Sequence, residues 1–239
     1  MNNFFINKPP FNLKKDSSFI GFANKVIKKL RLGYSLQPLP DSKVDMNSIE
    51  QRINYFHLID AVIANKIEGD VIELGCFTGQ CAMLFQKVIQ DYQSEKALHL
   101  YDSFQSKFKL QGSVEEELKN NFQKAGLKQP VLHKGFFQDT IPGQLPEKIS
   151  FVHIDCGFGG DKMMHKEIML YCLESVYPRM TKGAVCVLMD YHDASVSGKS
   201  GFDANPGATL ATDEFLKTRP EKVIALYGNH YSHAFFRKL

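Results

Sequence analysis

Short apolar runs alternate with helical patterns from residue 70 to the end of the chain, and this alternation constrains the fold most. A helical pattern follows each of five apolar runs. These runs are DVIELGC, ALHLYDSF, PVLHKGFF, KISFVHID and GAVCVLMDY. Five such units predict a doubly wound, Rossmann-like parallel sheet. Two closing runs, KVIALYG and SHAFFRK, meet near Gly228-Asn229 and predict an antiparallel last strand inserted in the sheet. The fold class is therefore α/β with a seven-stranded sheet.

The chain of 239 residues is predicted to form one globular domain, residues 48–239, after an N-terminal extension, residues 1–47. Residues 1–18 are predicted to be irregular. Apolar periodicity predicts helices at 19–31 and 48–67. The predicted buried face of the second helix consists of Ile49, Ile53, Phe56, Ile59, Ile63 and Ile67.

Charge and cysteine usage exclude several classes of protein. The net charge of +3 is too small to predict nucleic-acid binding, and the basic N-terminus reads as a solvated helix face. Five cysteines without a CxxC pair predict reduced, buried thiols in a cytoplasmic protein. No apolar run approaches the roughly 18 residues that span a bilayer. We therefore expect no membrane partner.

The segment ELGCFTG after the first strand predicts a nucleotide-binding loop, although glycines after a strand are a weak signal alone. Gly75 allows a tight turn and Gly79 opens the next helix. Glu73 lies inside the strand, where a carboxylate needs a polar partner. Asp102 ends the second strand, where it can accept ribose hydroxyls. Because Phe77 replaces the middle glycine of the dinucleotide motif, the predicted ligand is a nucleoside without a diphosphate, such as S-adenosylmethionine.

Several motifs occur in the order, and near the spacing, of a known family. They are GDVIELGCFTGQCA, LYDSF, GFFQDTIP, HIDC, YPRMTKGAVCVLMDYHD and PGATLATDEFL. Over roughly residues 45–239 the chain resembles the macrocin O-methyltransferases, which are class I S-adenosylmethionine-dependent enzymes that methylate sugar hydroxyls of natural products. The resemblance implies an O-methyltransferase acting on a small, saccharide-containing acceptor.

The resemblance also implies the cofactor site. The methionine end of the cofactor would contact Glu73, Gly75, Cys76, Phe77, Thr78 and Gly79. Asp102 and Ser103 would bind the ribose, and Phe136, Phe137 and Asp139 would flank the adenine. One of the two phenylalanines could instead belong to the core, and Asp139 could cap a helix.

By the same resemblance, a divalent cation would bind an aspartate after the fourth strand and an Asp-Asp pair after the fifth. Asp155 and Asp190 match two of these positions, whereas Met189 and Gly157 stand where the family has acids. We therefore predict a weak Mg²⁺ site in which Asp193 or water completes the coordination.

Asp155 is expected to face the acceptor hydroxyl. The general base is either Asp155 or His192, and His192 is the base in a mechanism without a cation. His153, on the same strand, reads as a core residue, and Asp161 as a helix N-cap. A non-catalytic module that binds S-adenosylmethionine or a metabolite is the competing function, and a nicotinamide oxidoreductase is the most distant one. The extension is expected to cover the acceptor and to support a homodimer.

Overall fold

The computed structural model describes residues 1–8, 10–11, 17–36, 47–108, 110–156, 160–193, 195, 205–228 and 232–239. Gly157, most of the loop at 194–206 and Asn229 of the predicted hairpin turn lie outside these ranges. The predictions made for them are not addressed by the structure.

The elements follow the predicted order along the chain. The helices are α1 (Ser18–Lys29), α2 (Ile49–Ala64), α3 (Gln80–Asp91), α4 (Val114–Lys124), α5 (Phe137–Thr140), α6 (Lys162–Val176) and α7 (Gly207–Leu216). The strands are β1 (Asp70–Leu74), β2 (Leu98–Asp102), β3 (Val131–Lys134), β4 (Ile149–Ile154), β5 (Met180–Met189), β6 (Ile224–Leu226) and β7 (His233–Arg237). Short 3-10 turns occupy Phe4–Asn7 and Tyr177–Arg179.

All seven strands form one sheet with the order β3-β2-β1-β4-β5-β7-β6. Strands β1 to β5 pair in parallel, and β7 is antiparallel to both of its neighbours, β5 and β6. The predicted fold, with its inserted antiparallel last strand, is confirmed.

Alternate residues of each strand face opposite layers of helices. Val71, Phe151 and Val187 pack with apolar residues of α2, α3 and α4. Val152 and Leu188 pack on the other face, against α6 and α7. The central strands are therefore buried on both faces, which explains their nearly continuous apolar sequences.

The predicted buried face of α2 is partly wrong. Ile53 is 37% exposed, whereas Tyr55, Ile59 and Val62 are fully buried. The buried stripe is rotated away from Ile53 because α2 packs in the layer that contains α3 and the ends of β4 and β5. Periodicity identified the helix, but the contacts selected its inner face.

The first residues of the chain, which were predicted to be irregular, contain one short 3-10 turn and pack against the core. Ile6 and Phe11 are buried in the same cluster as α2, and the ring of Phe5 lies 5.8 Å from that of Phe56. All five cysteines are buried free thiols. In the described ranges, the helices are too short or too polar to cross a bilayer.

Candidate functional site

A cavity of about 340 Å³ opens at the carboxyl ends of the parallel strands, near the point where the strand order reverses. Open α/β sheets bind ligands in this position. Residues that follow β1, β2, β3 and β4 line the cavity, together with the last residue of β5. Predicted site residues that line it are Glu73, Gly75, Cys76, Phe77, Thr78, Asp102, Ser103, Phe136, Phe137 and Asp155.

The two glycines of the ELGCFTG loop are each required by a different close contact. Gly75 has φ +83°, and a Cβ there would lie 1.9 Å from the carbonyl oxygen of Asp155, so only glycine lets β1 and β4 end this close together. Gly79 has φ +80°, and a Cβ there would lie 3.0 Å from Leu118 of α4. Gly79 is not among the described residues that line the cavity. Helix packing therefore accounts for Gly79.

Asp102 holds the loop in shape. Its Oδ2 accepts hydrogen bonds from the backbone N–H groups of Cys76 (2.9 Å) and Phe77 (3.0 Å), and Oδ1 accepts one from Phe104 (2.7 Å). A carboxylate offers about four acceptor positions, so capacity for a ligand hydroxyl remains. Asp102 thus connects the end of β2 to the loop after β1.

Glu73 is the buried carboxylate of the cavity wall, with 2% exposure. It lies beside His153 in the β1–β4 register, and its Oε1 is 2.8 Å from His153 Nδ1. Burial raises the pKa of Glu73, and the bond to His153 opposes that rise. Its Oε2 has no hydrogen-bond partner in the described part of the chain. His153 is fully buried, as expected of a core residue, but its Nε2 has no hydrogen-bond partner among the described residues.

Of the three residues predicted to flank the adenine, two line the cavity and one does not occur in its described lining. Phe136 is 54% exposed at the cavity, and Phe137 lines the cavity while also packing against the core. Asp139 is exposed within the first turn of α5, and the described cavity lining does not include it. Asp139 is not the N-cap of α5, because Phe136 occupies that position.

Asp155 follows β4 at the base of the cavity. Burial and, second to it, the nearby Asp190 carboxylate together raise the pKa of its carboxyl to about 7. Asp190 has a left-handed backbone, with φ +62°, and its Oδ2 accepts a 2.6 Å hydrogen bond from the Asn205 amide. The structure therefore brings Asp155 and Asp190 within electrostatic reach of each other.

His192 and Asp193 are bonded to their own surroundings. His192 Nδ1 lies 2.8 Å from Ser232 Oγ, and its backbone N–H donates to Thr209 Oγ1. Asp193 Oδ1 accepts from the backbone N–H of Ser195 at 2.9 Å. Neither residue, nor Asp190, occurs among the described residues lining the cavity. Asp161 is the N-cap of α6, as predicted.

Met189 lines the cavity at the end of β5, and two residues of α2 that the sequence did not reveal donate hydrogen bonds to it. Tyr55 Oη lies 3.1 Å and Gln51 Nε2 lies 3.3 Å from Met189 Sδ. The Ser48-x-x-Gln51 capping box was a readable signal for Gln51, because it fixes the amide by a bond from Ser48 N–H to Oε1.

These residues do not fit a hard divalent cation. At the ends of β4 and β5, among the described residues, the carboxylates are those of Asp155 and Asp190, and the third position, Met189, is a thioether that accepts two hydrogen bonds. Mg²⁺ and Ca²⁺ require oxygen ligands in larger number. Within the described ranges, the group of three ligand atoms close enough to bind a metal is Glu73, Cys81 and His153, which excludes Asp155. In that group Glu73 bonds to His153, and burial raises the pKa of the Cys81 thiol well above its usual value.

Comparison with known proteins assigns the chain to a family. The sequence profile of the macrocin-O-methyltransferases matches residues 40–199. The chain belongs to the macrocin-O-methyltransferase family. The chain is 21% identical over 168 residues to 8-demethyl-8-(2,3-dimethoxy-alpha-L-rhamnosyl)-tetracenomycin-C 4'-O-methyltransferase of Streptomyces olivaceus. This alignment covers 61% of this chain and 62% of that protein. It is 25% identical over 174 residues to demethyldecarbamoylnovobiocin O-methyltransferase of Streptomyces niveus, with 64% of each covered.

The aligned regions therefore cover somewhat less than two thirds of the length of each of these two relatives. The O-methyltransferase NovP shares the fold at a TM-score of 0.64 and 19% identity, with 80% of each chain covered. CalS11, a TDP-rhamnose 3'-O-methyltransferase, shares it at a TM-score of 0.57 and 18% identity, over 94% of this chain and 96% of that one.

Proposed function

We propose that this chain is an S-adenosylmethionine-dependent O-methyltransferase that acts on a hydroxyl of a small, saccharide-containing molecule. The observation that carries the proposal is the pair of carboxylates in the cavity. Glu73 has an oxygen available beside the glycine loop, and Asp155 lies at the base with a raised pKa. Membership of the family and the names of the relatives support the acceptor class.

The cavity fits this cofactor. The cofactor's methionine end carries an α-ammonium group, and the partnerless Oε2 of Glu73 is a buried acceptor of matching charge. Gly75 lines the cavity, and Asp102 and Ser103 line the region where a ribose would bind. The exposed ring of Phe136 offers a flat apolar surface for the base.

Asp155 supplies the proton chemistry. When bound, the cofactor supplies a methyl group activated by a sulfonium. With the cofactor bound, the Asp155 carboxylate would accept the proton of the acceptor hydroxyl, so that the hydroxyl oxygen could receive the cofactor's methyl group. A base with a pKa near the working pH is best suited to this transfer. A weakly bound Mg²⁺ at Asp155 and Asp190 stays a prediction from sequence, and no step above depends on it.

The test measures binding and turnover separately. Calorimetry should give micromolar affinity for S-adenosylmethionine, on the order of −8 kcal/mol, and weaker or no binding of NAD. Asp102→Ala should weaken that affinity because it removes a ligand acceptor and loosens the loop. A panel of glycosylated acceptors then tests methyl transfer by product mass. Cofactor binding without any turnover would favour the non-catalytic module, and preference for NAD would refute the proposal.

A further inference from the structure

Met189 occupies a position beside Asp155. The β4–β5 register pairs Ile154 with Leu188, so Asp155 and Met189 are the next residues along at adjacent strand ends. Both line the cavity. A group at this position on β5 is thus an immediate neighbour of the predicted base.

The surroundings of Met189 are built from donors. Gln51, Tyr55 and Met189, here named the Met189 cluster, are all buried. Burial raises the pKa of Tyr55 well above its usual value, so its hydroxyl remains a proton donor. Gln51 Oε1 is already bonded to Ser48 N–H, which directs the Nε2 group to the sulfur. A cation entering here would meet the positive ends of an O–H and an N–H bond and a soft sulfur.

The other predicted ligands are also engaged. Asp190 Oδ2 accepts the Asn205 amide, and Asp193 Oδ1 accepts the Ser195 backbone N–H. Neither lines the cavity in the described part of the chain. The position at the end of β5, occupied by Met189, is therefore filled by uncharged hydrogen-bonding groups of the chain itself.

We propose that methyl transfer by this chain needs no divalent cation, because the Met189 cluster takes the position next to Asp155 that a cation would need. The inference rests on the proposed function. It gives Gln51, Tyr55 and Met189 the part of the site that a cation would need, and it runs against the weak Mg²⁺ site predicted from the sequence.

Turnover with and without a chelator tests the inference. The wild-type protein is treated with EDTA, and its rate is compared with that in millimolar Mg²⁺ or Mn²⁺. We expect the rates to agree within twofold. A loss of tenfold or more in EDTA that added cation restores would overturn the inference.

Met189→Asp is the diagnostic variant, because it adds the missing carboxylate while Tyr55 and Gln51 can still donate to it. We expect Mn²⁺ to bind at least tenfold more tightly than to wild type. The variant's rate should also become sensitive to EDTA. Met189→Leu is the matched control, since it changes the same side chain without adding a ligand and should leave EDTA without effect. Equal cation affinity of Met189→Asp and Met189→Leu would count against the assignment of this position.

A binding measurement separates this inference from the proposed function. Mn²⁺ titration of the wild-type protein, followed by electron paramagnetic resonance, needs no acceptor and no turnover. We expect that any Mn²⁺ site of the wild-type protein that is lost in Asp155→Asn has a dissociation constant in the millimolar range or weaker. A tighter site lost in Asp155→Asn would refute the inference even if every acceptor failed. Failure of all acceptors without Mn²⁺ binding would instead refute only the enzymatic function.

Discussion

At the scale of single residues, the two cavity carboxylates are controlled by different neighbours. Asp155 is flanked by the like charge of Asp190, whereas Glu73 is paired with the imidazole of His153. The first arrangement disfavours the charged form of a carboxylate and the second favours it. Burial raises the pKa of both carboxyls. Asp190 adds to the rise at Asp155, which suits Asp155 to accept a proton, whereas the hydrogen bond to His153 opposes the rise at Glu73.

Replacement of Asp155 should separate chemistry from binding. Asp155→Asn keeps the shape but cannot accept the hydroxyl proton, so turnover should fall by about a hundredfold to ten-thousandfold. Affinity for S-adenosylmethionine should change less than threefold, as measured by calorimetry. His192→Ala is the comparison variant and should retain most activity, because His192 does not occur in the described cavity lining. The opposite ranking of the two variants would make His192 the base.

The pKa of about 7 at Asp155 predicts two pH effects. Turnover should rise with pH through 7, because only the deprotonated carboxylate accepts a proton. Stability should change in the opposite direction. The folded state holds its proton up to about pH 7, but the unfolded state releases it near 3.9, so this site's stabilisation declines as pH rises through that window. Asp155→Asn should therefore gain thermal stability over wild type at pH 8, and this gain should shrink toward pH 4.

The Glu73–His153 pair should couple folding to cofactor binding. His153→Leu leaves a buried carboxylate without its partner and should cost about 3–5 kcal/mol in urea unfolding. The double variant Glu73→Leu, His153→Leu should recover much of that stability and still lose affinity for S-adenosylmethionine. Cofactor binding that survives in the double variant would show that Glu73 has only a structural role.

At the scale of elements, the end of one strand and the start of one helix each depend on a glycine. Gly75 permits the contact between the ends of β1 and β4, and Gly79 permits α3 to begin against α4. Asp102 then ties β2 to the same loop by two backbone hydrogen bonds. The loop is shaped by three neighbouring elements before any ligand binds.

Gly79→Ala should therefore act on stability before it acts on binding. Its Cβ would lie 3.0 Å from Leu118 and 3.1 Å from Phe122, and its φ is also positive. We expect a loss of about 1–3 kcal/mol, measured by chemical unfolding. Gly112→Ala is the matched control, because Gly112 has φ +100° but nothing within 4 Å of the added carbon. An equal cost in both variants would assign the effect to the backbone alone.

At the scale of the whole molecule, the extension has two parts with different packing. Ile6 and Phe11 are buried against the layer of α2, so deletion of the first 40 residues would remove part of the core. Helix α1 has no buried residue, and its Phe19 and Phe22 are 73% and 65% exposed, with the C-cap residue Leu30 62% exposed. Exposed apolar surface of this kind often marks an interface.

The predicted homodimer is therefore best tested on α1. Light scattering at tens of micromolar should give the mass of a dimer for the wild-type chain. Phe19→Ser with Phe22→Ser should shift it to a monomer without lowering the melting temperature, since both side chains are exposed. Tyr227→Ser, at an exposed aromatic outside the extension, is the control. A wild-type monomer would remove the prediction.

The sequence alone determined the order of elements, the inserted last strand and the residues of the glycine loop. These follow from local patterns: apolar periodicity, strand length, and the special backbone freedom of glycine. Through its resemblance to the family, the sequence also indicated that Met189 and Gly157 stand where family members have acids. Because Glu73 lies inside a strand, sequence could predict that it needs a partner as well.

Only the tertiary structure decided what each of these residues contacts. The partner of Glu73 is His153, 80 positions away in the chain, and the donors to Met189 come from a helix more than 130 positions earlier. The inner face of α2 was also set by contact, which is why Ile53 is exposed although its spacing predicts burial. Hydrogen bonds and burial between distant segments depend on how the layers pack. Local sequence patterns do not specify that packing.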